Sequence, residues 1–136
     1  MHYLKYIVYL CLNFYRDIMD VTYLYLNSST ELLRINLMDV VFFEASGNYT
    51  EINLVNGAKT VVCMNLAKMH KLVQMVLKDK SRLFPRIGKR YLVNMNYVYH
   101  INISQQNLRL TDQRLCLYDI SVSKEALKAL KEYIMQ

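Results

Sequence analysis

Tryptophan is absent from these 136 residues, and only one proline and three glycines occur. So few chain breakers leave no flexible linker or low-complexity tract, and 54% hydrophobic residues supply ample material for a core. One domain is the natural reading of this length, and no repeat at solenoid spacing is found. Cysteine is scarce and odd in number: Cys11, Cys63 and Cys116 lie far apart, with no CxxC and no adjacent histidine. That argues against a disulfide framework or a structural zinc site and for buried free thiols in a reducing compartment. The histidines, His2, His70 and His100, fall in unrelated elements at no metal-ligand spacing. His70 is expected to be exposed or at the rim of the internal helix, and His100 to be structural and not catalytic. No Gly-rich phosphate cradle, GxSxG or HExxH is present. Glu31, Asp39, Glu44 and Glu51 form no evident pair for acid–base work. The chain is therefore expected to be no enzyme, with no cofactor and no metal.

No hydrophobic run is long enough to span a bilayer. The apolar start, MHYLKYIVYLCLNFYRD, has an uncharged core from Tyr6 to Tyr15, about half of a membrane span. It carries no small-x-small cleavage site, so a signal peptide is disfavoured. Residues 1–18 read as a non-native extension or upstream start, or as a hydrophobic helix packing on the domain or a partner. The domain proper is expected over 19–136.

What is present is tyrosine, 12 in all, together with Val and Ile, a composition leaning toward strands. Thr22–Leu26 and Glu31–Ile35 read as short strands around a polar turn, and Asn36–Asp39 as a helical turn or tight loop. Val40–Glu44 is a strongly apolar strand, broken by Ala45-Ser46-Gly47-Asn48. Tyr49–Val55 and Thr60–Met64 flank Asn56-Gly57, the strongest hairpin signal in the chain. Asn65 then caps a helix whose apolar stripe is Leu66, Met69, Leu72, Val73, Val76 and Leu77, with Lys68, Lys71 and Lys78 on its wet face. Further strands are expected near Tyr91–Val93, Val98–Ile103, Asn107–Leu110 and Leu115–Ile120. Ser123 caps a last helix with Ala126, Leu127, Leu130 and Ile134 inside and Lys124, Lys128 and Lys131 outside. Eight or nine strands and two helices without β-α-β alternation predict a mainly β, antiparallel domain.

Charge is concentrated in one place. Residues 78–90, KDKSRLFPRIGKR, hold Lys78, Lys80, Arg82, Arg86, Lys89 and Arg90 against Asp79 alone, so they carry nearly all of the formal +6. A basic loop at the mouth of the strand Tyr91-Leu92-Val93 suits phosphate. A solvated loop would have the same composition.

Four stretches in order complete the pattern: Val40-Val41-Phe42-Phe43-Glu44-Ala45-Ser46-Gly47-Asn48-Tyr49; Asn56-Gly57 with the helix over 66–77; Phe84-Pro85-Arg86-Ile87-Gly88-Lys89-Arg90-Tyr91-Leu92-Val93-Asn94; and Ile120-Ser121-Val122-Ser123-Lys124. From Leu24 to Ile134 the chain resembles the LytTR-type DNA-binding domain of bacterial transcription regulators. The resemblance implies an elongated antiparallel β-sheet domain with one internal amphipathic helix and a C-terminal helix. It also implies sequence-specific binding of double-stranded DNA in the cytoplasm, by loops rather than a recognition helix in the major groove. Those loops correspond to the turn at Asn48 and Tyr49, to Gly88-Lys89, and to Ser123-Lys124.

The implied contacts are Asn48, Arg82, Arg86, Lys89, Arg90, Ser123 and Lys124. Asn can pair with adenine and Lys with guanine, whereas Arg82, Arg86 and Arg90 would hold phosphates and set register. Local roles compete: Asn48 is also a turn residue and Ser123 an N-cap. Tyr49 is expected to pack, and Asn94 to bond backbone. Two departures bear on base preference, because the family often has His where Gly88 stands and a small hydroxyl residue where Arg90 stands. Further expectations are a homodimer on repeated half-sites and a separate signalling protein as partner. A fragment of a two-component response regulator is the close variant. The rival classes are a small β interaction module and an RNA-binding domain.

Overall fold

The computed structural model describes residues 22–136, so the apolar segment 1–18 lies outside the described residues. Tyr23–Asn27 (β1) and Leu32–Asn36 (β2) form an antiparallel ribbon. Its period-two pattern buries Leu24, Leu26 and Ile35. Asn36 Oδ1 accepts from the Met38 amide at 3.0 Å and from Thr22 Oγ1 at 2.8 Å, capping a 3-10 turn at Leu37–Asp39.

A five-stranded sheet follows. Val40–Ser46 (β3), Tyr49–Leu54 (β4) and Lys59–Val62 (β5) are joined by turns in which Gly47 and Gly57 take φ of +62° and +89°. Leu66–Leu77 (α1) starts at the Asn65 cap, whose Oδ1 accepts from the Lys68 amide at 2.9 Å. A 3-10 segment, Lys78–Leu83, leads to Arg86–Ile87 (β6) and Tyr91–Val93 (β7). The order is β5-β4-β3-β7-β6. Val98–Asn102 (β8), Asn107–Thr111 (β9) and Leu117–Ser121 (β10) form a separate three-stranded sheet, and Lys124–Met135 (α2) closes the chain.

The central sheet is covered on both faces. Phe43, Ile52 and Leu92 pack with the ribbon and α1; Phe42, Tyr91 and Val93 pack with the three-stranded sheet and α2. This is why β3 reads as an unbroken apolar run and not an alternating one. Its register against β4 shifts between Val40 and Phe42, and the bulge turns Val41 and Phe42 to the same core.

Three local expectations change. The strand β3 continues through Ala45 and Ser46, because the Ala45 amide donates to Arg90 O at 2.8 Å and only Gly47 demands positive φ. The basic stretch 78–90 is not one loop: it contains the 3-10 segment and a tenth strand, β6. Burial of Ile87 and the bond from the Val93 amide to Pro85 O, 3.2 Å, hold that strand in place. Ile134 is exposed, since the end of α2 runs past the core and the half-buried residue there is Tyr133.

The β9–β10 turn closes on one carboxylate. Asp112 Oδ1 accepts from the amides of Arg114, Leu115 and Cys116 at 2.9, 2.8 and 3.0 Å. The amides of Cys116 and Arg114 hold its carboxyl down from 3.8 to about 2. A depressed carboxylate stabilises the turn fully above its unfolded value, and the contribution is lost as pH falls through about 2. The Arg114–Cys116 amide resonances are therefore expected to titrate together with that low midpoint, and Asp112→Asn to abolish the titration. A midpoint near that of an unpaired carboxyl would show that the turn closes without it.

Candidate nucleic-acid interface

Three distant segments meet at one end of the central sheet. β3 rises to the Gly47-Asn48 turn, and β7 runs antiparallel to it with Glu44 opposite Tyr91. The Gly88–Arg90 turn preceding β7 therefore lies at the same end, tied there by the Ala45 amide on Arg90 O. Gly88, at φ +60°, abuts α2: a Cβ on it would stand 3.8 Å from Ala126 Cβ. Ser123 caps that helix, its Oγ accepting from the Ala126 amide at 3.2 Å. Asn48, Lys89, Arg90, Ser123 and Lys124 thus share one rim.

Their side chains differ in freedom. Asn48, Lys89 and Lys124 are exposed and make no side-chain hydrogen bond or ion pair among the described residues. Arg86 is exposed on β6 and donates from Nη2 to Lys89 O at 2.8 Å, curling over the turn. On the same side lies His70 of α1, half-buried, whose pKa is lowered by burial first and by Arg86 second. Arg90 is paired: Nη2 is 2.6 Å from Glu44 Oε2, and the guanidinium lies 5.7 Å from the centre of the Tyr91 ring. Burial raises the Tyr91 hydroxyl's pKa, with the Glu44 charge acting in the same direction.

Arg82 stands apart. Its guanidinium sits 4.6 Å over the Tyr133 ring and 3.5 Å from Gln136 Oε1, while the Tyr133 hydroxyl donates to Arg82 O at 2.7 Å. These partners are at the far end of α2, roughly 15 Å along the axis from Ser123 at 1.5 Å per residue. The basic stretch is therefore divided between two ends of one helix.

Other expectations resolve individually. Tyr49 is 50% exposed beside the Asn48 turn and is not packed. Cys63 is exposed, against the expectation of buried thiols, because it follows the edge strand β5; Cys116 is buried. Asn94 is buried and bonds backbone, as its place in the strand motif suggests. Glu44 and Glu51 stand directly opposite each other, each neutralised by a base, Arg90 and Lys59 (3.1 Å) respectively. Sequence reasoning missed this charge row, although a two-residue turn at Gly47-Asn48 is enough to set the register that produces it. Among the described residues no three His, Cys, Asp or Glu side chains group as a metal site, and no helix is long and apolar enough to cross a membrane.

Comparison with known proteins agrees with this architecture. The family model of the LytTr DNA-binding domain matches residues 30–135. Among solved structures the fold is similar to the LytTr DNA-binding domain assigned to a methyl-accepting/DNA response regulator from Bacillus cereus. The TM-score is 0.59 at 17% sequence identity, covering 83% of this chain and 96% of that one. No curated protein matches. The match over most of the chain, with the fold it requires, shows that this protein belongs to the LytTR family of DNA-binding domains.

Proposed function

We propose that the chain binds duplex DNA sequence-specifically as a bacterial transcription regulator, without catalysis, with the rim turned into the major groove. The observation that carries this is the convergence of the Asn48, Lys89 and Ser123-Lys124 segments on one edge, with two unpaired lysines at its tips. Lys89 suits the guanine edge and Asn48 the adenine edge. Arg86, and Arg90 on release from Glu44, serve phosphates. The first amides of α2 with the Ser123 hydroxyl can receive another. This reading places the protein in the cytoplasm, and repeated half-sites would suit a homodimer switched by a separate signalling protein.

The test is duplex titration over a salt series. With three or four phosphates neutralised, log affinity falls with log salt at a slope of about −3 to −4. A flat response, or efficient competition by single-stranded RNA, overturns the reading. Lys89→Ala is expected to cost about 1–3 kcal/mol on a selected site and much less on a scrambled duplex. Arg82→Ala is the comparator and should shift both duplexes alike. Equal losses on both duplexes for Lys89→Ala would make Lys89 a phosphate contact and leave base reading to Asn48.

A further inference from the structure

The charge row beside the rim suggests why a cation as exposed as Arg90 need not strengthen binding to every duplex. Glu44 is fixed in the middle of the sheet, its side chain only 19% exposed, whereas the Arg90 side chain is 65% exposed. The acid is thus the immobile partner and the guanidinium the movable one. Glu51 faces Glu44 across the β3–β4 pair, so the order along the row is Arg90, Glu44, Glu51, Lys59. A phosphate that takes Arg90 must displace a fixed carboxylate and approach a second one. Neither acid has another base within salt-bridge distance among the described residues.

We infer that Glu44 is a specificity-determining residue of the DNA interface. It acts as a positioning residue by holding Arg90 in reserve until a correctly docked duplex presents a phosphate within reach. The inference rests on the duplex-DNA reading above. Glu44 is a repulsive element against loosely seated DNA, and discrimination commonly uses such elements. Lys124, unpaired among the described residues, acts on any duplex, whereas Lys89 acts at a base edge. Arg90 adds its contact only when base contacts at the turn tips have fixed the register. Removing Glu44 is expected to tighten binding to the wrong sequences most.

The experiment compares the natural chain with Glu44→Gln on a selected duplex and its scrambled counterpart. It reads affinity, salt slope and the NMR signal of Arg90 Nε, assigned by its loss in Arg90→Ala. In the natural chain the Nε signal should move with the selected duplex and stay in place with the scrambled one. In Glu44→Gln it should move with both. Scrambled-duplex affinity should rise roughly twofold to fivefold, the weight of an exposed ion pair, and its salt slope should steepen by about one. This gain should exceed that of Glu44→Gln made in the Arg90→Ala chain, where only the loss of a negative charge acts. Equal gains in the two backgrounds, or an Nε signal that moves equally with both duplexes in the natural chain, overturn the inference and leave DNA binding standing. A natural chain that binds neither duplex overturns both. Glu44→Ala, with melting recorded, repeats the measurement without a side chain that can still accept from Arg90.

Discussion

Phe43→Ala is expected to destabilise the domain by about 3–5 kcal/mol, the usual cost of emptying a large aromatic site in a core. Phe43 is fully buried at the centre of β3, with Ile52 and Leu92 directly opposite on the two flanking strands. Its ring meets Phe84 edge-on, centroids 5.6 Å apart at 64°. The cavity would resist collapse, because β3 is hydrogen-bonded on both sides and packed on both faces. Domains of this size are typically stable by about 5–15 kcal/mol, so the loss would approach the whole margin. It reaches the interface too: Phe84 anchors the chain just before β6, and β6 carries the Gly88–Arg90 turn. Urea unfolding measures it, and a loss below about 1.5 kcal/mol would show that the surrounding chain relaxes into the space.

Asn94→Ala is expected to cost about 2–4 kcal/mol, by a different mechanism. The fully buried side chain donates from Nδ2 to Val40 O at 2.9 Å and accepts at Oδ1 from the Asn96 amide at 2.9 Å. It thereby ties the end of β7 to the start of β3, beside the bulge, and caps the 3-10 turn Met95–Tyr97. Alanine strands the buried Val40 carbonyl, at about 1–3 kcal/mol for a buried group left unsatisfied, and removes the cap on the part-buried Asn96 amide as well. Asn94→Asp should be no better, since a carboxylate cannot donate to Val40 O and would be charged in a closed site. Thermal melting of both variants tests this. A drop from Asn94→Ala no larger than for a surface substitution, about 0.5 kcal/mol, would show that water or backbone shifts satisfy both groups.

Elements whose causes are local can be read directly from the chain. Asn65 and Ser123 cap their helices through side-chain oxygens a few residues from the amides they bind, and Gly47 and Gly57 mark turns because positive φ costs them nothing. Period-two spacing and short apolar runs placed nine of the ten described strands, helical spacing placed both helices, and the four stretches around Gly47-Asn48, the internal helix, Phe84–Asn94 and Ser123 carried the family. The other features arise from packing between distant segments. Arg86–Ile87 is too short to show a period and becomes a strand only because Tyr91 and Leu92 pair with it. Arg90 is held by Glu44 and Arg82 by Tyr133, partners 46 and 51 positions away in the chain, so Arg82 lies at the far end of α2 from Arg86, Lys89 and Arg90 although all four belong to one run. Hydrophobic periodicity says which face of an element is buried, whereas an ion pair or a shared rim depends on register between segments far apart. That register is set only when β3, β7 and α2 have packed.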